Sequence, residues 1–431
     1  MLKLERMNKD IALKLLHTSD WHLGRSLYGR KRYEEFAQFL DWIVQTVRER
    51  NIDVLVVAGD VFDTATPSNR AQALYYQFLQ QMVMSDCRHV IVVAGNHDSP
   101  TFLNAPGDLL RALDVHVVGH ACDDLSDQLV VLRDEHRQPQ MIVCAVPYLR
   151  DRDVRAASVG ETMQDKERHL IDGIGQHYLK MAELVQIARR EQGLKVPAVA
   201  TGHLYATGGQ TIDGDGVRDL YIGSLGQVHA TVFSDVFDYI ALGHLHVPQI
   251  VGGQNRIRYS GSPIAMGFGE AGQQKVVCEV SFWPSKSDDR DWQLSVETID
   301  VPVFQRLSQI RGDLATIRAR LDSLKREGNS IWVEVLYESA DVMTDLREII
   351  EKEVSGTSIE ILRIKLTGRN SSAITQLREE ESLEDLTPMD VFDRCLESHQ
   401  VSQAQRPALR DTYRELLTLM DTQKASLGGA S

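Results

Sequence analysis

The stretch Val54–Asp60, VLVVAGD, constrains this chain more than any other: a short β-branched and aliphatic run ends in glycine and then a carboxylate. Such a run, bounded by glycine and too short for a typical helix, reads as a buried parallel strand. Its last side chain is delivered to the carboxyl edge of a sheet, where open α/β sheets place their ligands. The chain then repeats the device. His89–Asp98 reads HVIVVAGNHD, Pro197–Leu204 reads PAVATGHL and Tyr239–His246 reads YIALGHLH. Leu13–His22, LKLLHTSDWH, ends in Asp20 and His22 without the glycine. Five strand ends on one side of one sheet, carrying only metal-binding side chains, predict a binuclear metal site.

The residue types suit that chemistry. Residues i and i+2 of a strand point to the same side, so Asp20 with His22, and His244 with His246, could each aim two ligands at one ion if the extended geometry persists. Glycines before Asp60, Asn96, His203 and His244 allow sharp turns with no Cβ in the way of the ions. Carboxylate, amide oxygen and imidazole without thiolate suit Mn²⁺, Fe or Zn better than Ca²⁺ or a structural zinc site. Two-metal chemistry needs one acid to bridge ions about 3.5–4 Å apart, and Asp60, central in the sheet, is the best candidate. His17, His89, His116 and His229 lack this strand-end context and read as structural or surface residues.

Around these motifs the chain alternates strand and helix. A strand over 12–18 precedes an amphipathic helix carrying Phe36, Phe39, Leu40, Ile43 and Val47 at helical spacing. Pro67 falls near the start of a second helix, about 68–84, with Leu74, Phe78, Leu79, Met82 and Val83 on its apolar face. This βαβαβ opening predicts a mostly parallel sheet with right-handed crossovers. Further strands read at 115–118, 141–148 and 257–263, with a long helix over about 160–191. Residues 206–219, ATGGQTIDGDGVRD, read as a mobile glycine-rich loop beside the site, and about 281–292 as a polar break. A second unit follows, with helix LATIRARLDSL, strand IWVEVLY, helix DVMTDLREIIEKEV and strand IEILRIKL, an α+β domain with one sheet face covered. The boundaries read as an N-terminal extension 1–11, a main domain 12–300, the smaller domain 301–368, a linker 369–384 and a helical tail 385–431. Two tail helices, with Leu386, Val391, Phe392 and Leu396 in one and Leu409, Tyr413, Leu416, Leu417 and Met420 in the other, cannot bury those faces alone.

Composition excludes several classes. With 431 residues, 43% hydrophobic and 25% charged, the chain is an ordinary globular protein with room for a large core. Its five cysteines lie far apart with no CxxC spacing, which argues against disulfides and thiolate zinc and fits a reducing cytoplasm. The charged start MLKLERMNKD has no signal-peptide core, and no run reaches membrane-span length. A net charge of −14 disfavours nucleic-acid binding by the bulk surface but leaves room for a local basic patch. Arg25, Arg30, Lys31 and Arg32, interleaved with Tyr28 and Tyr33, are that candidate patch; on charge alone they better suit a solvated helix start. No GxxxxGK[ST] motif is present, so nucleotide hydrolysis would need a second chain.

DWH, GDVFD, GNHD, ATGH and GHLH resemble the five motifs of the calcineurin-like metallophosphoesterases. More narrowly, HTSDWHLG, VAGDVFDT, VxAGNHDS, RDxYIGSL and IALGHxH are similar to the bacterial SbcD nuclease subunits. The resemblance implies a four-layer α/β core of mixed sheets, a smaller α+β capping domain and a C-terminal helical tail. It implies one ion held by Asp20, His22, Asp60 and His246, and a second by Asp60, Asn96, His203 and His244, with Mn²⁺ in both. His97 would be the outer-sphere acid that protonates the departing 3′ oxygen, or a phosphate-positioning residue. The implied activity is exonuclease on duplex ends, endonuclease on single strands and opening of hairpins. The implied partners are DNA, contacted by Arg25, Arg30, Lys31 and Arg32, and an SbcC-type coiled-coil ATPase docked by the tail. A homodimer through the 68–84 helix and the 100–113 segment, within a heterotetramer, is implied too; the same helix could simply cover the sheet. The rival reading is a calcineurin-like phosphatase or small-molecule phosphodiesterase. The ten-odd residues before the first strand depart from the pattern, and Met7 is an alternative start.

Overall fold

The structure is a computed structural model of the chain. It describes residues 13–154, 161–206, 227–285, 292–338 and 346–366, with Leu396, Arg406, Arg410 and Tyr413 as isolated positions. The extension 1–11, the 206–219 loop beyond Ala206, the RDxYIGSL motif, the linker and the tail helices therefore lie outside the described residues. The described residues form two compact units, one running to Ser308 and including Ser330–Trp332, the other made of Gln309–Asn329 and residues from Val333 on.

The first unit holds two six-stranded sheets. In the first, the order is β14 (Trp292–Asp300), β13 (Val276–Pro284), β1 (Leu13–Thr18), β4 (Val54–Ala58), β5 (His89–Val93), β6 (Val115–Val118). β1, β4, β5 and β6 run parallel, and β13 and β14 add antiparallel. In the second, the order is β11 (Gln249–Val251), β12 (Gln254–Tyr259), β10 (Tyr239–Gly243), β9 (Ala198–His203), β8 (Pro139–Cys144), β7 (Leu129–Arg133). Its four inner strands are parallel and both edges antiparallel. A small hairpin joins β2 (Ser26–Leu27) to β3 (Arg30–Lys31). The single sheet expected from the motifs is thus two sheets. A strand buried on both faces reads alike whether its second face meets a helix or another sheet.

Side-chain alternation sets the layers. Leu55 and Val57 of β4, with Val90 and Val92 of β5, pack on one side with Phe36, Phe39, Ile43, Tyr75 and Phe78. Val54, Val56, Ile91 and Val93 point the other way and meet Val143, Val199 and Ala241 of the second sheet. Ala198, Ala200, Ile240 and Leu242 face outward again, against Ile174, Tyr178, Met181 and Val185. Helices α1 (Tyr33–Arg50) and α2 (Asn69–Val83) cover the first sheet, and α6 (Met163–Gln192) covers the second. Three apolar interfaces separate four layers, the architecture the family resemblance implies. Each buried Val, Ile or Phe there contributes about 1.5–3 kcal/mol. Short helices α3 (Pro100–Asn104), α4 (Gly107–Arg111) and α5 (Asp151–Val154) fill connections.

Local chemistry explains the element ends. The five apolar residues expected along α1 are all buried, and Asn51 ends the helix in the left-handed region at φ 52°. Helix α2 starts two residues past Pro67, because Ser68 caps it by accepting from Ala71 N. Val83 does not join its apolar face and is exposed. Thr162 and Asp165 form a capping box on α6, which ends at Gly193 with φ 62°. The break expected over 281–292 is shorter, since Ser281–Pro284 continue β13 and Phe282 is buried between the sheets.

A three-stranded sheet of β15 (Arg306–Gly312), β16 (Ile331–Tyr337) and β17 (Ile359–Leu366), most of it in the second unit, is accompanied by α7 (Leu314–Glu327) and α8 (Leu346–Val354). Ile317, Leu321 and Leu324 of α7 and Ile350 of α8 are buried, as are Ile331, Val333 and Val335 of β16. Glu334, on the opposite face of β16, is buried as well, because Gln309 Nε2 (2.8 Å) and Arg363 Nη1 (3.2 Å) pair its carboxylate. The first strand, β15, was not legible: RLSQIRG lacks a run of β-branched residues.

Candidate metal centre

The loops leaving β1 and β4 stay zipped beyond the strands. Asp20 N donates to Gly59 O (3.0 Å), His22 N to Asp60 O (3.0 Å) and Leu23 N to Val61 O (2.9 Å). Along this zipper Asp20 (φ 54°), His22 (φ 48°) and Asp60 (φ 49°) are left-handed, and His244 after β10 has φ 102°. Left-handed backbone costs a non-glycine residue about 1–2 kcal/mol, and such strain concentrates at functional sites. Gly59 is left-handed too (φ +92°), and a Cβ there would lie 2.2 Å from His203 Nδ1. A Cβ on Gly95 would lie 2.1 Å from Asp60 Oδ1. These glycines admit neighbouring ligands as much as they turn the chain.

The seven predicted ligands come together from both sheets. Asp60 Oδ2 lies 3.3 Å from His203 Nε2 and 3.6 Å from His22 Nε2, between two groups of side chains. On one side His22 Nε2 and His246 Nε2 approach to 3.2 Å, clustered with Asp20. On the other, Asn96 Oδ1 is 3.1 Å from His203 Nε2 and 3.2 Å from His244 Nδ1. His244 and His246 therefore do not aim at one point as i, i+2 alternation suggests. The left-handed turn at His244 breaks the extended geometry and sends the two rings to opposite halves. Asp20 and His22 do converge, although their backbone is left-handed rather than extended.

This donor set fits a pair of cations. His203 Nδ1 donates to Ala58 O (3.0 Å), so Nε2 of the neutral ring meets Asp60 and Asn96 as a third acceptor. Burial opposes charge on His203, but Asp60 and Asp20 outweigh it and raise the ring to about 9. A positive charge is what the pocket demands, whether a proton or a metal supplies it. Burial pushes Asp20 up, while Asp60, also penalised by burial, is held well below the carboxylate range by His203 and His22. Burial and neighbouring His203 lower His244 to about 3, and burial lowers His22 well below its usual value. Their lone pairs stay available at neutral pH. His22 Nδ1 and His244 Nε2 are buried with no hydrogen-bond partner.

His97 sits at the rim, half-buried, its ring 4.9 Å from that of His22. Its backbone N donates to Asp60 Oδ1 (2.9 Å) and its Nδ1 to Asp63 O (2.9 Å). Sequence reading passed over the groups behind the ligands. Asp98 accepts from Gly95 N (2.9 Å), Val61 N (3.1 Å) and Phe62 N (2.9 Å), tying two ligand loops together. Burial and the nearby Asp60 raise its carboxyl to about 6. Glu270, fully buried, stands 3.5 Å from His246 Nδ1 and pairs with Lys275, whose Nζ also donates to His246 O (3.1 Å) and Ser262 Oγ (3.1 Å). The signal was a lone acid in the apolar turn IAMGFGEAG.

The basic segment divides. Arg30 and Lys31 are exposed on the β2–β3 hairpin, and Arg25 pairs with Asp63 at 3.3 Å. Arg32 is buried rather than exposed, clamped by Glu35 at 2.7 and 2.9 Å, although it too lines the cleft beside the hairpin. A cleft of about 470 Å³ beside the hairpin is lined by Arg30, Lys31 and also Arg70, whose guanidinium stacks 4.6 Å above the Tyr33 ring. No helix among the described residues is long and apolar enough to cross a membrane.

Residues 13–248 match the calcineurin-like phosphoesterase family, and residues 303–400 match the type 5 capsule protein repressor C-terminal domain. The chain is 35% identical over 410 residues to the SbcD component of the SbcCD nuclease of Escherichia coli strain K12, covering 93% of this chain and 97% of that protein. The Bacillus subtilis protein of the same name is 31% identical over 78% of this chain and 82% of its own length. That of Rhodobacter capsulatus is 36% identical over 60% and 64%. Kinship on this scale, together with clustered His and Asp side chains, makes the chain a metal-dependent hydrolase that belongs to the calcineurin-like phosphoesterases and, within them, to the SbcD family of nuclease subunits.

Proposed function

We propose that this chain hydrolyses phosphodiester bonds at DNA double-strand ends and hairpins, as exonuclease on duplexes and endonuclease on single strands. Asp20, His22, Asp60 and His246 hold one Mn²⁺, and Asp60, Asn96, His203 and His244 the other. Nitrogen and oxygen donors without thiolate support that ion. Such a pair, when bound, supplies an activated water near neutral pH and offsets charge on the phosphoryl oxygens. The observation that carries the reading is Asp60 Oδ2, set between His22 and His203 with acceptors on both sides.

The chain's own groups do the rest. Asp60 keeps its negative charge and shares it between both halves. Nδ1 of His97 donates to Asp63 O and orients the ring, whose imidazolium form gives its Nε2 proton to the departing 3′ oxygen, a step worth roughly 10²–10⁴-fold. Asp98 and Glu270 hold ligand loops and rings in position. Arg25, Arg30 and Lys31, with Arg70 beside them, neutralise backbone phosphates on the approach to the centre.

The name of the relatives, a subunit of SbcCD, supports an SbcC-type coiled-coil ATPase as partner, docked by the 385–431 tail. Exposed Tyr76, Val83 and Met84 at α2, with Leu109 and Leu113 in and just after α4, support a homodimer through those segments within a heterotetramer. We assign 12–300 to the nuclease, 301–368 to a capping domain and 369–384 to a linker, in a cytoplasmic protein. The deciding experiment offers the purified chain, with Mn²⁺, a labelled DNA hairpin and p-nitrophenyl phosphate in parallel. Hairpin opening is the expected result. Hydrolysis of the nitrophenyl ester with the hairpin left intact would make the chain a small-substrate phosphatase instead.

A further inference from the structure

His89 and His116 carry no strand-end motif, yet the fold brings them together at the end of β5 remote from the metal centre. His89 opens β5 and Asn96 lies beyond its close, seven residues or roughly 20 Å away. His89, Asp114 and His116 each offer a ligand atom, all within 4.8 Å of one another. The side chain of His89 is more than nine-tenths buried, with 7% of the residue exposed. Its Nε2 donates to Arg133 O at 2.8 Å. A carbonyl only accepts, so the proton of the neutral ring is on Nε2 and Nδ1 keeps a lone pair. That Nδ1 is buried without a hydrogen-bond partner, and Asp114 Oδ1 faces it at 3.9 Å. A lone pair and a carboxylate set face to face can share a positive charge, whether a proton or a metal supplies it. A histidine with one nitrogen fixed by a carbonyl and the other open is the arrangement metal ligands adopt.

His116 completes the set. Burial, then the neighbouring His89, lowers the His116 ring to about 4, so it is a neutral donor at physiological pH. Arg111 opposes a cation here, but it is exposed and screened. The Asp114 side chain is 67% exposed, so rotation alone can draw its oxygen in to the edge length of a tetrahedral site, about 3.4 Å for ligands near 2.1 Å from the ion.

We propose that His89, Asp114 and His116 form a third divalent-metal site, distinct from the binuclear centre, for a zinc-type ion whose fourth position is water. Two imidazoles and one carboxylate without thiolate favour Zn²⁺ over Mn²⁺ by the usual order of affinities. Its place gives it a structural task. β6 is the edge strand of its sheet, paired with β5, and the ion would clip Asp114 and His116 to His89. Through His89 and Arg133 the clip also reaches β7 of the second sheet.

The test counts zinc on the full chain after dialysis at micromolar free Zn²⁺, for wild type, Asp114→Asn and His116→Gln. One more ion per wild-type chain than per variant is expected, with a larger zinc-induced rise in unfolding temperature. Both variants alter exposed or half-buried residues, and unchanged Mn²⁺-dependent hairpin cleavage verifies that they fold. Equal zinc counts in all three proteins would overturn the site, and equal temperature rises would do the same.

Discussion

The two halves of the metal centre share Asp60 but are braced by different means. Behind His246 stands Glu270, held by Lys275, and behind His22 stands Asp63 at 3.6 Å. Among the described residues, the hydrogen-bond partner of His203 Nδ1 is backbone, the carbonyl of Ala58, and Asn96 Oδ1 touches the rings of His203 and His244. A side-chain brace is removed by one substitution; a backbone brace is as permanent as the strand that bears it. The first half is therefore the adjustable one, and the second is fixed by the fold.

The largest expected effect removes what the halves share. Asp60→Asn should cost both ions and bring Mn²⁺-dependent hairpin cleavage to background; retention of one ion, by elemental analysis, would mean the halves are independent. Next in size, His97→Ala should lower cleavage by roughly 10²–10⁴-fold with both ions in place. Loss of an ion instead would move His97 into the ligand set and blur the contrast. Glu270→Gln is the direct probe of asymmetry. It should weaken one Mn²⁺ by about 10–100-fold and leave the other unchanged, as read by titration; equal weakening of both would break the comparison. The smallest effect lies on the substrate side. Arg30→Ala with Lys31→Ala should flatten the log–log salt dependence of duplex binding by about 0.9 per lost phosphate contact. Arg32→Ala should leave that slope alone and lower the unfolding temperature, since it strands buried Glu35.

Much of the site was legible because strand ends and ligand types coincide in the sequence. Asp20, His22, Asp60, Asn96, His203, His244 and His246 all follow apolar runs, and all seven meet. What escaped was whatever depends on long-range packing. Alternation cannot tell whether β9 and β10 extend the sheet of β4 or lie beneath it, since Val56 and Val199 look equally apolar in either case. Nor does spacing reveal the φ of 102° that parts His244 from His246. Arg32 reads as surface charge until Glu35, three residues on, is seen to clamp it inside. His89 and His116 were set aside for want of a motif, and only the register of β5 with β6 brings them together.

Because Asp20, His22 and Asn96 descend from one sheet and His203, His244 and His246 from the other, neither half of the centre can be completed by a single layer. A chain still leaving the ribosome lacks its last ligand until residue 246 has emerged and both layers have docked. If those seven side chains are the ligands, hydrolysis is expected only from a chain whose two layers have docked.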